Sequence, residues 1–245
     1  MAETPPDLQI SLVAGHRPDL LERTLASFSQ SLFCHFQVRF AVANIDPFMG
    51  TDSDGDRCAA IIRDHFPNAA IHRPLQPSFG AAVRHVWSQM PDGLFLHLED
   101  DWVCEAPVLP TVVLPVFHAP DVAAAHLSFT PRRPGRGPVR TRWKRTRLGP
   151  ITVWRHRVNG WGTSPRFMDG ALARAFADAM NPDLDPEKQV YVQADPALCN
   201  LVEKYRTIQL WSPDGGPLIR DIGRQARSAV GIEKINLRDG RVIWR

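Results

Sequence analysis

Leu94-Phe95-Leu96-His97-Leu98-Glu99-Asp100-Asp101-Trp102 runs a mostly apolar segment straight into three consecutive carboxylates. Pro91-Asp92-Gly93 bounds the apolar part upstream, and its length suits a strand buried on both faces. Three adjacent acids repel one another unless they spread into solvent or a cation neutralises them. In an open α/β sheet, ligands bind beyond the carboxyl ends of the strands. Glu99-Asp100-Asp101 therefore reads either as a divalent-metal site facing a ligand crevice or as a polar turn leaving the sheet.

The segments before it alternate. Leu8 to Ala14 reads as a first strand, followed by Gly15-His16-Arg17 and by Pro18, well placed to open a helix. Leu21, Leu25, Phe28 and Leu32 then recur on one helical face. Gln37 to Ala43 is the second strand, ending at Asn44-Ile45-Asp46-Pro47, and Phe48 to Asp56 reads as a Gly/Asp/Ser-rich loop. Cys58, Ile61, Ile62, His65 and Phe66 mark a second helix, and Ala70-Ile71-His72 a short third strand. Ser78 is the expected N-cap of a third helix striped by Phe79, Ala82, Val83, Val86, Trp87 and Met90, with Arg84 off the stripe. This order predicts a three-layer α/β/α sandwich with a mostly parallel central sheet.

The second half is less regular. Val122–Phe129, Ile151–Val158 and Thr207–Trp211 read as strands, and Asp195-Pro196 opens a helix carrying Leu198, Leu201, Val202 and Tyr205. Pro131 to Arg147, rich in Pro and Gly and without periodicity, reads as a loop. Asp221-Ile222-Gly223-Arg224 has no assignable element.

Composition narrows the class. With 245 residues, 44% of them hydrophobic and 22% charged, the chain can bury a full core. Its net charge of +3 is local in origin. Residues 131–147 hold eight Lys/Arg and no acid, and elsewhere acids outnumber bases by 26 to 21. Four scattered cysteines without a C-x-x-C pair fit neither a zinc site nor a disulfide framework. The opening Met1-Ala2-Glu3-Thr4-Pro5-Pro6 has no secretory signature, so a cytoplasmic location is expected, with peripheral membrane contact left open.

In order and spacing these features resemble a family 2-type glycosyltransferase of the GT-A fold. Ile10 to Leu25 looks like the opening strand, nucleotide loop and helix of those enzymes, and Glu99-Asp100-Asp101 like an EDD variant of their D-x-D metal motif. Gly162-Thr163-Ser164-Pro165 and Asp195-Pro196-Ala197-Leu198 fall where the acceptor-side strand and the catalytic helix would be. The resemblance departs at Ala194-Asp195, where the family's Glu-Asp pair keeps one carboxylate, and at Asp221, which stands where a metal-binding His would.

The resemblance implies one GT-A-like domain over 1–245, with a nucleotide-sugar-binding half at 1–105 and an acceptor-binding half at 106–245. It implies an inverting, metal-assisted transfer from a UDP- or GDP-sugar to an unidentified acceptor. Asp101 and Asp221 would bind Mn²⁺ or Mg²⁺, hard cations that prefer oxygen ligands. Ala14, Gly15, His16, Arg17, Asn44, Asp46, Arg84, Glu99 and Asp100 would bind the donor. Gly15 permits close backbone approach, and Arg17 can pair with phosphate. Asp195 would take the acceptor proton, with Glu187 and Asp185 in reserve. Asp before Pro is equally what an N-cap and N1 pair looks like.

Two rival readings remain. A nucleotidyltransferase would want a Gly-rich phosphate loop with a Lys after the first strand, where the chain has only Gly15-His16-Arg17. The basic stretch, with Arg132, Arg133, Arg136, Arg140, Arg142, Lys144, Arg145 and Arg147, could serve a nucleic-acid-binding protein. Nucleic acid is not the expected partner, because Trp143 alone is thin evidence for base stacking.

Overall fold

Alternate residues of the first strand serve two cores. In β1 (Asp7–Ala14), Leu8, Ile10, Leu12 and Ala14 pack with α1 (Pro18–Ser31) and α2 (Asp52–His65). Val13 faces the other way, toward Val83 and Trp87 of α3 (Phe79–Ser88). β4 (Leu94–Glu99) repeats the division, with Leu96 and Leu98 on the first side and Phe95 on the second. Period-two alternation between helical layers produces the three-layer sandwich expected from the sequence. This computed structural model describes residues 4–237 and 239–244, with the backbone alone for 142–147, 156, 236, 243 and 244.

The remaining strands are β2 (Gln37–Ile45), β3 (Ala70–His72), β5 (Trp102–Cys104), β6 (Val122–Leu127), β7 (Val139–Leu148), β8 (Ile151–Asn159), β9 (Arg166–Asp169), β10 (Arg206–Leu210), β11 (Ile219–Asp221), β12 (Lys234–Asn236) and β13 (Val242–Trp244). Together with β1 and β4, seven of them form one nine-stranded sheet in the order β3-β2-β1-β4-β9-β6-β10-β7-β8. β3, β2, β1 and β4 are mutually parallel, as are β6 and β10, while β9 and β7 run against their neighbours. β1, β2 and β4 therefore deliver Ala14, Ile45 and Glu99 to the same edge. The other helices are α4 (Pro110–Val113), α5 (Gly170–Ala179), α6 (Lys188–Tyr191), α7 (Pro196–Lys204) and α8 (Gly223–Ala229). None of the described helices is long and apolar enough to cross a membrane.

Three expectations are corrected. Phe48–Asp56 is not all loop, because α2 starts at Asp52. Thr51 and Asp54 form a reciprocal capping box, which satisfies two of the N–H groups a helix start leaves open. The basic stretch is not a loop throughout. From Val139 it is strand β7, paired antiparallel with β8 from Thr141–Asn159 to Leu148–Ile151, and a tight turn at Gly149-Pro150 closes the hairpin. β-branched and aromatic residues on both arms favour that pairing. The side chains of Arg142, Trp143, Lys144, Arg145 and Arg147 lie outside the described set, as do residues 1–3 of the N-terminus. The unassigned Asp221–Arg224 segment ends β11 and opens α8, with Asp221 Oδ1 accepting Arg224 N–H at 3.0 Å.

Candidate active site

Asp100 and Asp101 follow β4 directly, at the edge where β1 and β2 also end, and Arg17 stands between them. The Arg17 guanidinium donates from Nε to Asp100 Oδ2 at 3.1 Å, from Nη2 to Asp100 Oδ1, and from Nη1 to Asp101 Oδ2 at 3.3 Å. Gly15 N–H adds a 2.9 Å bond to Asp100 Oδ2. Burial raises the pKa of the Asp100 carboxyl, against the Arg17 charge and the bonds donated by Gly15 and Arg17. Burial opposes the Arg17 charge, but Asp100 and Asp101 outweigh burial and raise its pKa further. The Thr24 hydroxyl donates to the Asp100 carbonyl at 2.8 Å, fixing the turn to α1.

Asp101 is held from its far side by α8. Arg227 Nη1 donates to Asp101 Oδ2 at 3.0 Å, and Ile222 N–H to the Asp101 carbonyl at 2.9 Å. Gly223 permits that approach, since a methyl group there would lie 2.0 Å from Asp101 Oδ2. Glu99 accepts Trp102 Nε1–H at 3.1 Å. Burial, and then the Asp101 charge, pushes the Glu99 carboxyl up to about 8.

These acids line a cleft of about 900 Å³, within the range of small-molecule sites. Of the residues expected from sequence, Ala14, Gly15, Arg17, Asp46, Glu99, Asp100, Asp101, Glu187 and Asp221 line it, as does Asp185. Arg17 offsets the charge of the two aspartates while still lining the cleft. A second hollow, about 530 Å³ near Leu94, Asp169 and Tyr205, lies at the opposite end of β4.

Four expected residues lie elsewhere. His16 is buried against the first turn of α2, where a methyl group on Gly55 would meet its Nε2 at 2.6 Å. Asn44 is buried and positions a neighbour, donating to Asp46 Oδ1 at 2.6 Å. Arg84, off the apolar stripe, donates from Nε to the Ala177 carbonyl of α5 at 3.1 Å. Asp195 caps α7, accepting Ala197 N–H at 2.7 Å and Leu198 N–H at 3.0 Å, and is not among the cleft residues.

The cleft also holds residues that sequence reasoning did not single out as site residues. Arg224 and Arg227 lie three apart in α8, a spacing that puts them on one helical face once the helix is known. Lys234 reaches Asp185 Oδ2 at 3.0 Å. Asp185 Oδ1 accepts the N–H groups of Glu187 and Lys188, both at 3.0 Å, so this carboxylate is fully engaged. Arg166 is fully buried behind the site, its Nε bonded to the Ser164 carbonyl at 3.2 Å. Burial and the charge of Arg140 pull its pKa down to about 9, while Glu187 and Glu99 act the other way.

Asp46 gives the cleft a measurable pH signature. Burial pushes its carboxyl up to about 6, against hydrogen bonds from Asn44 and from Ser78 N–H, the latter at 3.0 Å. The folded state thus holds this proton more tightly than the unfolded chain does. The contribution of Asp46 to stability is greatest below about pH 4, falls as pH rises to about 6, and levels off above, a change on the order of 3 kcal/mol. The Asp46→Asn protein should be the more stable of the two at pH 7.5, and the difference should shrink toward pH 4. Thermal midpoints of both proteins across that range check this, and parallel curves would refute it.

The structure tests the expected cation through its donor set. Among the described residues no three His, Cys, Asp or Glu side chains converge on one point. The cleft offers Asp101, whose Oδ1 accepts from no described protein donor, and Asp221 on the adjoining strand. Mg²⁺ takes one or two protein carboxylates and completes its shell with phosphate and water. Such a sparse seat fits a cation that arrives with a diphosphate, and does not fit a cation held by protein alone.

No protein-family model matches this chain, and no curated protein does. Solved structures share its fold. One is the mannosyltransferase PcManGT from Pyrobaculum calidifontis in complex with GDP-Man and Mn²⁺, 12% identical, with a TM-score of 0.53 over 88% of this chain and 57% of that one. Another is S. aureus TarS, 14% identical, with a TM-score of 0.51 over 86% of this chain and 36% of that one. Residues 1–349 of TarS give 10% identity and a TM-score of 0.52 over 91% and 63%. The fold is therefore that of GT-A glycosyltransferases, as the sequence resemblance implied. The chain spans less than two thirds of each of these proteins.

Proposed function

We propose that this protein transfers a sugar from a nucleoside-diphosphate donor, a UDP- or GDP-sugar, to an acceptor hydroxyl with inversion. The observation that carries the reading is the cleft at the ends of β1, β2 and β4. There Asp46, Glu99 and Asp101 line, together with Arg224 and Arg227 of α8, a volume suited to a nucleotide sugar. Residues 1–105 would supply the donor half and 106–245 the acceptor half. Asp46 and the backbone of Ala14 and Gly15 would meet the nucleoside. Arg224 and Arg227 would face the diphosphate, where guanidinium groups pair well with phosphate oxygens. A Mn²⁺ or Mg²⁺ ion bound at Asp101, with Asp221 beside it, would supply charge stabilisation to the leaving diphosphate.

Inversion requires one carboxylate to accept the acceptor's proton as the new bond forms. Glu187 suits this role best. It lines the cleft, whereas Asp195 is spent on capping α7 and Asp185 on three donors. Arg166 lies close enough behind Glu187 to feel its charge.

The reading is tested by release of UDP or GDP from a panel of sugar nucleotides with Mn²⁺ and candidate acceptors. Glu187→Gln should lower kcat by about 10²–10⁴-fold with little change in KM, the scale of a lost general base. Asp195→Ala should keep kcat within a few-fold of wild type and cost about 1 kcal/mol of stability through the lost cap. The reverse pattern would return the base to Asp195. Pyrophosphate released from nucleoside triphosphates, with no diphosphate from sugar nucleotides, would favour the nucleotidyltransferase reading instead.

A further inference from the structure

The β7–β8 hairpin starts at the cleft and ends in solvent. Arg140 lines the cleft at its base, and the turn at Gly149-Pro150 lies some eight residues farther along each arm, or about 27 Å. Between Val139 and Asn159 the sequence has seven Lys or Arg and no acid. Arg155 and Arg157 are exposed on β8, the last strand of the sheet.

The tip is apolar. Leu148 is 74% exposed, Ile151 65%, Val153 56% and Trp154 65%. Leu148 pairs with Ile151 and Thr146 with Trp154 across a register shift that leaves Val153 as the extra residue, so Leu148, Ile151 and Trp154 share one face of the hairpin. An apolar face on arms that carry basic residues and no acid matches the surface of an anionic bilayer, which offers apolar and acidic chemistry together. Exposed aliphatic residues add nothing to the binding of a nucleic-acid backbone, and the charged edge of β8 discourages strand pairing with a second copy.

We propose that the hairpin is a peripheral membrane anchor, inserting Leu148, Ile151, Val153 and Trp154 into the headgroup region of an anionic bilayer. Tryptophan favours that interface, and the flanking arginines meet lipid phosphates while their stems lie along apolar surface. Apolar insertion and basic attraction are each weak, and together they give stable but reversible binding. The inference does not depend on the catalytic reading. It would hold the cleft a fixed distance above the lipid surface.

The test is co-sedimentation of the full chain with phosphatidylcholine vesicles, with and without 30% phosphatidylglycerol, with duplex DNA as a competitor. The wild type should partition at least tenfold more strongly onto the anionic vesicles, and less strongly at 0.5 M than at 0.1 M NaCl. Ile151→Ser with Trp154→Ala should lose at least tenfold of that binding while keeping the wild-type circular dichroism. If that variant does not fold, quenching by brominated lipid should be weaker in Trp154→Phe than in wild type. Failure of the folded wild type to bind anionic vesicles would overturn the proposal. So would vesicle binding that survives loss of the tip residues, quenching unaltered in Trp154→Phe, or DNA outcompeting the vesicles.

Discussion

Replacing Arg17 with methionine should destabilise the protein by about 3–5 kcal/mol, the cost of leaving one partner of a buried ion pair behind. The stranded partner is Asp100, whose side chain is 1% exposed and which takes two donated bonds from the guanidinium. Methionine keeps the volume of the arginine stem and removes the fork. In a chain of this length the loss corresponds to a fall in thermal midpoint of roughly 6–20 °C. Asp100→Asn in the same background removes the uncompensated charge and should recover a large part. A double-mutant cycle should therefore give a coupling energy above 1 kcal/mol. Additive single effects in urea unfolding would show that the pair is solvated and that Asp100 does not need Arg17.

Asp101→Asn should lower the rate of sugar transfer by about 10²–10³-fold, the scale seen when one charge-stabilising contact is removed from a reaction centre. The substitution preserves shape, and Asn can still accept from Arg227, so the fold should survive. Mn²⁺ at millimolar concentration should tighten UDP or GDP binding to the wild type and leave the variant unaffected. Because the protein offers so few ligands of its own, Mn²⁺ without nucleotide should shift the wild-type midpoint little. A strong shift from the metal alone would point to a fuller ligand set than Asp101 and Asp221 provide. Full activity in the variant would remove Asp101 from the site.

Much of the first hundred residues was legible because their signals are local. The Leu8–Ala14 and Leu94–Glu99 strands announce themselves by apolar runs, and α1, α3 and α7 by Pro18, Ser78 and Asp195 at their starts. At Asp195 the same local chemistry supports the N-cap, with Oδ1 accepting from Ala197 and Leu198, while its distance from the cleft follows only from the tertiary fold. Arg17 was legible as a charge near the site, but its partners, 83 and 84 residues away, follow from the sheet order alone. Arg227, 126 residues from Asp101, was invisible for the same reason. The hairpin was missed because its basic residues mask a strand pattern that only pairing with Ile151–Asn159 completes.

The most direct measurement is calorimetric titration of the wild-type protein with UDP, GDP, CDP and dTDP, with Mn²⁺ and with EDTA. The account predicts that UDP or GDP binds, that Mn²⁺ strengthens the binding, and that a hundredfold excess over Kd stabilises the fold by ~2.7 kcal/mol. If the folded protein binds none of the four with the metal present, the cleft at Glu99-Asp100-Asp101 is not a nucleotide-sugar site.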